Sequence, residues 1–82
     1  MRKAYLYILE SIRSRKKYVG VTHCLEERID RHNSQRVIST KKDVPYKLVY
    51  SEIFDDLATA RKRERFLKTT QGHRVIENKL LK

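Results

Sequence analysis

The 82-residue sequence has one cysteine, one proline, two glycines and no tryptophan. The single cysteine excludes an intramolecular disulfide and a zinc site built from cysteines. So few glycines and prolines exclude a collagen-like repeat and argue against a disordered chain. The longest uncharged apolar run is the six residues from Ala4 to Leu9, which is too short to span a membrane. No secretory hydrophobic stretch follows Met1, so we expect the chain to reside in the cytoplasm.

Acidic residues are also scarce, because 10 Asp and Glu stand against 20 Lys and Arg, for a net charge of +10. Residues 1–20 hold six basic residues and one acidic residue, and residues 57–82 hold eight basic and two acidic. A small body with this charge attracts polyanions. Nucleic acid is the first candidate, because phosphate neutralisation supplies most non-specific affinity. A membrane surface is less favoured, since neither basic end is an aromatic-rich amphipathic segment. A charged surface that only aids solubility is the remaining alternative.

Length and periodicity predict a single domain over residues 1–82 with a small core. A run rich in aromatic and branched residues predicts a strand over residues 4–9, and a polar hairpin loop joins it to a second short strand over residues 17–21. Leu48 and Tyr50, alternating with Lys47 and Val49, predict a third strand over residues 46–54. Residues 35–45 form a polar stretch that we expect to be a long loop.

Capping residues predict three helices. Thr22 is the expected N-cap of a helix over residues 23–33, and Asp55-Asp56 offers the cap of a second over residues 57–70. Gly72 is expected to end the second helix, and a short last helix follows. The predicted fold is α+β, a small three-stranded and mainly antiparallel sheet flanked by about three helices, in the order β-β-α-β-α-α.

Helical spacing places polar side chains on the apolar faces of both long helices. At about 100° per residue, Arg28 and His32 fall within the apolar arc of the first helix, and Glu64 falls within that of the second. Groups in such positions need partners, because an unpaired buried charge is costly. Two structural explanations are open: an ion pair between Arg28 and Glu64, and an i,i+4 pair between Glu64 and Lys68.

Two tyrosines point to one face of the predicted hairpin. Antiparallel pairing would let Tyr7 and Tyr18 line the same face, and Gly20 would leave a gap beside Tyr18 where a backbone or ligand can approach. The ordinary alternative is that both rings are buried in the core and their hydroxyl groups contact solvent.

These residues, in this order, resemble the GIY-YIG endonuclease family. The two family motifs correspond to Tyr5-Leu6-Tyr7, where a tyrosine replaces the usual glycine, and to Tyr18-Val19-Gly20. Arg28 and His32-Asn33 are similar to the family's arginine helix, and Glu64 stands at its metal-binding glutamate. The resemblance covers nearly the whole chain and is to the small single-domain bacterial branch, related to the nuclease domain of the excinuclease C subunit.

The resemblance implies a divalent-metal-dependent DNA endonuclease, acting in repair, recombination or the processing of DNA structures. Glu64 would hold Mg²⁺, with Mn²⁺ as a substitute, and Arg28 would offset charge developing on the phosphate. Tyr7 or Tyr18, acting with His32, would take a proton from water, and their order stays open. Asn78 is the counterpart of the family's C-terminal asparagine. The implied catalytic set is Tyr7, Tyr18, Arg28, His32 and Asn78.

Basic residues outside the core faces predict a groove that contacts the DNA backbone rather than its bases. They lie on the hairpin, on the long loop and on the second helix: Lys16, Lys17, Lys41, Lys42, Arg61 and Arg65. We expect DNA as the partner, with RNA not excluded, no membrane, and a monomer or weak dimer. Two other functions remain open, a non-catalytic nucleic-acid-binding module and a basic protein of a ribonucleoprotein.

Overall fold

The computed structural model describes residues 2–34 and 41–81, and the rest of the predicted loop at 35–40 lies outside the described residues. The α+β class and the β-β-α-β-α-α order are confirmed. No helix within the described ranges is long and apolar enough to cross a membrane. The elements are β1 (Ala4–Ser11), β2 (Lys17–Thr22), α1 (Leu25–Asn33), a 3-10 turn (Lys41–Asp43), β3 (Tyr46–Phe54), α2 (Leu57–Leu67), α3 (Thr70–Val75) and a π-helical turn (Ile76–Leu80).

The three strands form one antiparallel sheet in the order β2-β1-β3, so β1 is central. Tyr7 pairs with Gly20 and Leu9 with Tyr18 across the first hairpin, as the predicted pairing requires. On the other side β3 carries a bulge at Val49, because its neighbours Leu48 and Tyr50 oppose consecutive residues of β1. Successive side chains of a strand point to opposite faces, and β1 therefore sends different side chains to two separate clusters.

The first face of the sheet carries the larger apolar core. Leu6 and Ile8 of β1 pack there with Val19 of β2, Leu67 of α2 and Ile76 of the π-helical turn. These residues are almost entirely removed from water, which is the main source of folding free energy in so small a domain.

The second face carries a smaller cluster that is richer in aromatic rings. Tyr7 and Leu9 of β1 are buried there with Tyr46 of β3, and Leu25 and Ile29 of α1 pack over them. The helix therefore covers this face with the apolar arc that its spacing predicts.

The predicted start of α1 is two residues too early. Thr22 is not its N-cap. The Thr22 Oγ1 accepts a hydrogen bond from the Cys24 N–H at 3.1 Å and donates one to the Cys24 carbonyl at 3.2 Å. This pair of local hydrogen bonds lies at the end of β2. The helix begins at Leu25, and its N-cap, Cys24, makes no side-chain capping hydrogen bond. Glu26 and Glu27 do lie in its first turn, where negative charge is favourable.

The predicted second helix is three residues too long, because a separate helix begins at Thr70. Asp56 caps α2 as expected, accepting from the Thr59 N–H at 2.7 Å, but α2 ends at Leu67. Thr69 then caps α3, and its Oγ1 accepts from the Gly72 N–H at 3.1 Å. Gly72 does not break a helix; it is buried inside α3, where a Cβ atom would lie 2.6 Å from the carbonyl carbon of Leu67. Glycine is required there because α3 packs closely against the end of α2.

Candidate functional site

Tyr7 is the centre of the polar part of the second face. Its side chain is completely buried, and its ring extends across Gly20 of the edge strand β2. A Cβ atom at Gly20 would lie 2.5 Å from Tyr7 Cζ and 2.9 Å from Cε2, which real structures do not tolerate. The gap expected at Gly20 is therefore filled by the Tyr7 ring, and it does not admit a ligand.

The Tyr7 hydroxyl contacts the buried imidazole of His32 at the end of α1. Tyr7 Oη and His32 Nε2 are 3.1 Å apart. Burial and the nearby Arg28 charge lower the pKa of His32, while burial, and then Tyr18, raise the pKa of Tyr7 to about 12. Both groups are therefore neutral at pH 7, and one neutral hydrogen bond joins the Tyr7 hydroxyl to His32 Nε2.

Two further rings, those of Tyr18 and Tyr46, surround this contact. The Tyr18 and His32 ring centroids are 4.7 Å apart, and those of His32 and Tyr46 are 6.2 Å apart. Tyr7 and Tyr18 are 6.4 Å apart. Tyr18 is only half-buried, whereas Tyr7 has no accessible surface. Of the two motif tyrosines, Tyr18 is the one that a substrate can reach.

Arg28 and Glu64 bring opposite charges to the Tyr7 hydroxyl from two different helices. Arg28 lies one turn before His32 on α1, is half-buried, and opposes the rise in the pKa of Tyr7 through hydrogen bonding and charge. Glu64 of α2 adds to that rise by its negative charge. Within the described ranges Glu64 pairs with Lys68, Nζ to Oε2 at 3.0 Å, and not with Arg28. Of the two structural explanations, the i,i+4 pair is confirmed and the buried Arg28–Glu64 pair is not formed.

Asn33 has a structural role that the sequence analysis did not assign. Its Oδ1 accepts from the Tyr46 N–H at 2.7 Å, and its Nδ2 donates to the Tyr46 carbonyl at 3.1 Å. One side chain thus binds both backbone groups of Tyr46 and joins the end of α1 to the start of β3. The only signal in the sequence is its position directly after His32.

Comparison with known protein families matches residues 3–79 to the GIY-YIG catalytic domain. The chain belongs to the GIY-YIG family. It is 40% identical over 78 residues to the UPF0213 protein SSP2268 of Staphylococcus saprophyticus, covering 94% of both chains. It is also 40% identical over 70 residues to a UPF0213 protein of Syntrophus aciditrophicus, covering 83% of this chain and 79% of that one. No solved structure matches.

This GIY-YIG member is of the small single-domain kind, and its family is one of nucleases. Five of its predicted site residues come together at the edge of the sheet formed by β2, contributed by four different elements. They are Tyr7 of β1, Tyr18 of β2, Arg28 and His32 of α1, and Glu64 of α2.

Two other predicted residues lie on the opposite face. Asn78 is exposed on the π-helical turn, whose Ile76 packs into the first cluster with Leu6, so its catalytic role stays a prediction. Lys17 pairs with Glu77 at 3.3 Å and with Glu10 at 3.8 Å. The strand alternation that turns Tyr18 toward the site turns Lys17 away from it.

Four of the remaining basic candidates are solvent-exposed. Lys16, Lys42, Arg61 and Arg65 all present their side chains to water, while the side chain of Lys41 lies outside what the structure describes. On α2 the spacing places Arg61 within about 60° of Glu64 and Lys68, so it borders the GIY-YIG site. Arg63, a neighbour on the same helix, instead holds Glu52 of β3 with two contacts of 3.1 Å.

Within the described ranges, no group of three or more His, Cys, Asp or Glu side chains is placed to hold a metal ion. The carboxylate that acts on Tyr7 is that of Glu64, and its side chain is 18% exposed. This donor set fits an ion that takes one protein carboxylate and completes its shell with substrate phosphate and water, as Mg²⁺ does.

Proposed function

We propose that this protein is a divalent-metal-dependent endonuclease that hydrolyses DNA phosphodiester bonds. The observation that carries the proposal is the convergence of a neutral Tyr7–His32 pair, a reachable tyrosine, a guanidinium and a carboxylate at one edge of the sheet. Phosphodiester hydrolysis needs a proton acceptor for water and positive charge at the phosphate, and these residue types supply both.

Tyr18 is the residue we assign to the attacking water. Its ring is half-buried and stands beside His32, so its hydroxyl can meet solvent, whereas Tyr7 is closed off from water. Tyr7 keeps its proton at neutral pH because burial raises its pKa, and its hydroxyl is hydrogen-bonded to His32 Nε2. Tyr7 therefore fixes the imidazole orientation, and Tyr18 with His32 receives the proton.

Arg28 is the residue we assign to the phosphate. Its planar fork can bind two oxygens at once, and a half-buried position strengthens its effect on charge that develops during the reaction. Because Glu64 is paired with Lys68 and not with Arg28, the guanidinium is not neutralised by a carboxylate within the described site.

Glu64 would hold the divalent ion, Mg²⁺ or Mn²⁺. The ion would act as a Lewis acid on the phosphate and stabilise the leaving oxygen. An i,i+4 ion pair at a helix surface contributes only about 0.3–0.5 kcal/mol, so releasing Glu64 from Lys68 is a small obstacle.

DNA is the polyanion that we assign to the basic surface, and the cytoplasm is where we place the activity. The net charge of +10 supports binding through the phosphate backbone. Arg61 near Glu64 and Lys16 on the hairpin are both exposed. These two residues support a basic surface along which the DNA backbone would cross the site. A backbone-reading surface, with no recognition helix among residues 2–34 and 41–81, favours repair, recombination or processing of DNA structures over sequence-specific cleavage.

The test is nicking of supercoiled plasmid by Glu64→Gln, with Glu77→Gln as the matched control. Each of these glutamates pairs with a lysine, at 3.0 Å and 3.3 Å respectively, but Glu77 lies on the face away from Tyr7. Glu64→Gln should abolish Mg²⁺-dependent nicking with DNA affinity nearly unchanged, and Glu77→Gln should nick like the parent protein.

Normal turnover by Glu64→Gln would overturn the metal assignment, as would nicking by the parent protein in EDTA. A parent protein that binds DNA with a strong salt dependence and cuts none would instead be a non-catalytic binding module.

A further inference from the structure

The tip of the first hairpin is held by one buried serine. Ser11 Oγ accepts hydrogen bonds from the backbone N–H groups of Arg13 at 3.1 Å and Ser14 at 2.9 Å. The Ser11 backbone adds two more, its N–H to the Lys16 carbonyl at 2.8 Å and its carbonyl to the Arg15 N–H at 3.0 Å. The tip therefore has a fixed shape.

One residue of the tip adopts an unfavourable backbone conformation to keep that shape. Arg15 has a φ of 66°, in the left-handed region that normally favours glycine or asparagine. Strain of this kind persists where the surrounding hydrogen bonds over-determine the backbone, and it is concentrated at functional positions. An arginine here keeps a positive charge at the tip that glycine would not supply.

The fixed tip presents an isoleucine to solvent. Ile12 is 54% exposed, although its backbone N–H is tied to the Pro45 carbonyl at 3.0 Å. The residues around it are exposed and basic: Arg13, Arg15 and Lys16. The Arg15 guanidinium makes a loose contact of 3.9 Å with Glu10. An apolar side chain on a rigid support, surrounded by positive charge, fits a partner that is anionic outside and apolar inside, as a stack of bases is.

The position of the tip relative to Tyr18 fixes where on a nucleic acid it would act. Leu9 is paired with Tyr18, and Ile12 is three residues further along. At about 3.4 Å per strand residue, the tip extends roughly 10 Å beyond Tyr18. Nucleotides along one strand are also spaced by about 3.4 Å, so the tip reaches a base step about three nucleotides from a phosphate at Tyr18.

We propose that Ile12 is a wedge that inserts between bases near the cleaved phosphate, so that the protein selects DNA in which base stacking is already interrupted. Opening a stacked step in intact duplex consumes binding free energy, while a nick, a gap or a branch offers an open step. This inference rests on the proposed nuclease function. It names a feature of the substrate and the residue that detects it.

The test compares Ile12→Ser with Ile53→Ser, a matched control. Ile53 is an isoleucine of β3 with 58% exposure, so both substitutions remove an exposed side chain of the same kind and should leave the fold intact. Two probes are used, an intact duplex and the same duplex with a single-nucleotide gap, each carrying 2-aminopurine three nucleotides from the expected cut. Binding and fluorescence are measured in a Glu64→Gln background, and kcat/KM in the active protein.

We expect the parent protein and Ile53→Ser to increase 2-aminopurine fluorescence on binding and to prefer the gapped duplex by about tenfold or more, since one unstacking step is spared. Ile12→Ser should lose the fluorescence increase and reduce the preference to roughly twofold, with Mg²⁺-dependent cleavage retained. If Ile12→Ser and Ile53→Ser are alike in both measurements, the wedge is refuted while the nuclease stands. A parent protein that binds and cuts neither DNA refutes the proposed function as well as the wedge.

Discussion

Replacing Gly20 by alanine tests whether the Tyr7 ring needs the space above β2. The added methyl group would enter the ring position, 2.5 Å from Cζ and 2.9 Å from Cε2. Tyr7 is completely buried and its hydroxyl is bound to His32, so the ring has no open space into which it can turn. The substitution must therefore displace the ring, the strand or both.

The size of the effect follows from two contributions. Over-packing a well-packed site costs about 1–3 kcal/mol, and loss of the Tyr7–His32 hydrogen bond adds about 0.5–1.5 kcal/mol. We expect Gly20→Ala to lower the free energy of unfolding by roughly 2–4 kcal/mol. For a domain of this size each kcal/mol lowers Tm by about 4–8 °C.

A double-mutant cycle identifies the cause. Urea unfolding is measured for Gly20→Ala in the parent protein and in a Tyr7→Leu background, where the ring is absent. The alanine should be better tolerated in the second background, with a coupling free energy of at least about 1 kcal/mol. An equal loss in both backgrounds, or a loss below about 0.5 kcal/mol in the parent, would refute the close approach of Tyr7 to Gly20.

Three further substitutions test other parts of the site. Arg28→Lys keeps the charge but loses the planar fork, so it should fold normally and lose at least about tenfold in nicking rate; unfolding at room temperature would mark a structural role instead. Asn33→Asp can still accept from the Tyr46 N–H but no longer donates to its carbonyl, so unfolding in urea should show a loss of about 1–3 kcal/mol. Between pH 10 and 12 the unfolded state loses the Tyr7 proton and the folded state keeps it. The parent protein should thus lose roughly 2–3 kcal/mol of stability relative to Tyr7→Phe over that range, and a constant difference would contradict the raised pKa.

The sheet could be predicted from the sequence because its signal is local. Alternation along residues 4–11 determines which side chains face which cluster, and the cross-strand pair of Tyr7 with Gly20 follows from a short hairpin. The ends of the helices could not be predicted in the same way. Thr22 and Gly72 carry ordinary cap and breaker signals, but Thr22 bonds Cys24 locally, and Gly72 is needed where α3 touches Leu67. Local hydrogen bonding decides the first position, and packing between two helices decides the second.

The candidate site, like the fold, could be predicted from the sequence only in part. Spacing alone places Arg28, His32 and Glu64 on inward helix faces, and it also shows that Lys17 and Tyr18 must face opposite sides of the sheet. The bond between Asn33 and Tyr46 could not be foreseen, because it depends on where β3 begins relative to the end of α1. Which tyrosine meets the substrate depends on burial depth, which a sequence motif does not contain.

The two motif tripeptides join folding and chemistry in one strand pair. In Tyr5-Leu6-Tyr7, Leu6 packs in the larger core and Tyr7 lies in the site. In Tyr18-Val19-Gly20, Val19 packs in that core, while Tyr18 and Gly20 lie on the face of the site. A one-residue slip of β1 against β2 would exchange the faces, burying a polar hydroxyl in the apolar cluster and exposing core residues. The register that forms the largest core is therefore also the one that sets Tyr7 across Gly20 and beside His32. For this reason, substitutions that weaken the apolar cluster around Leu6 should displace Tyr7 from Gly20 and His32 even where the chain stays folded.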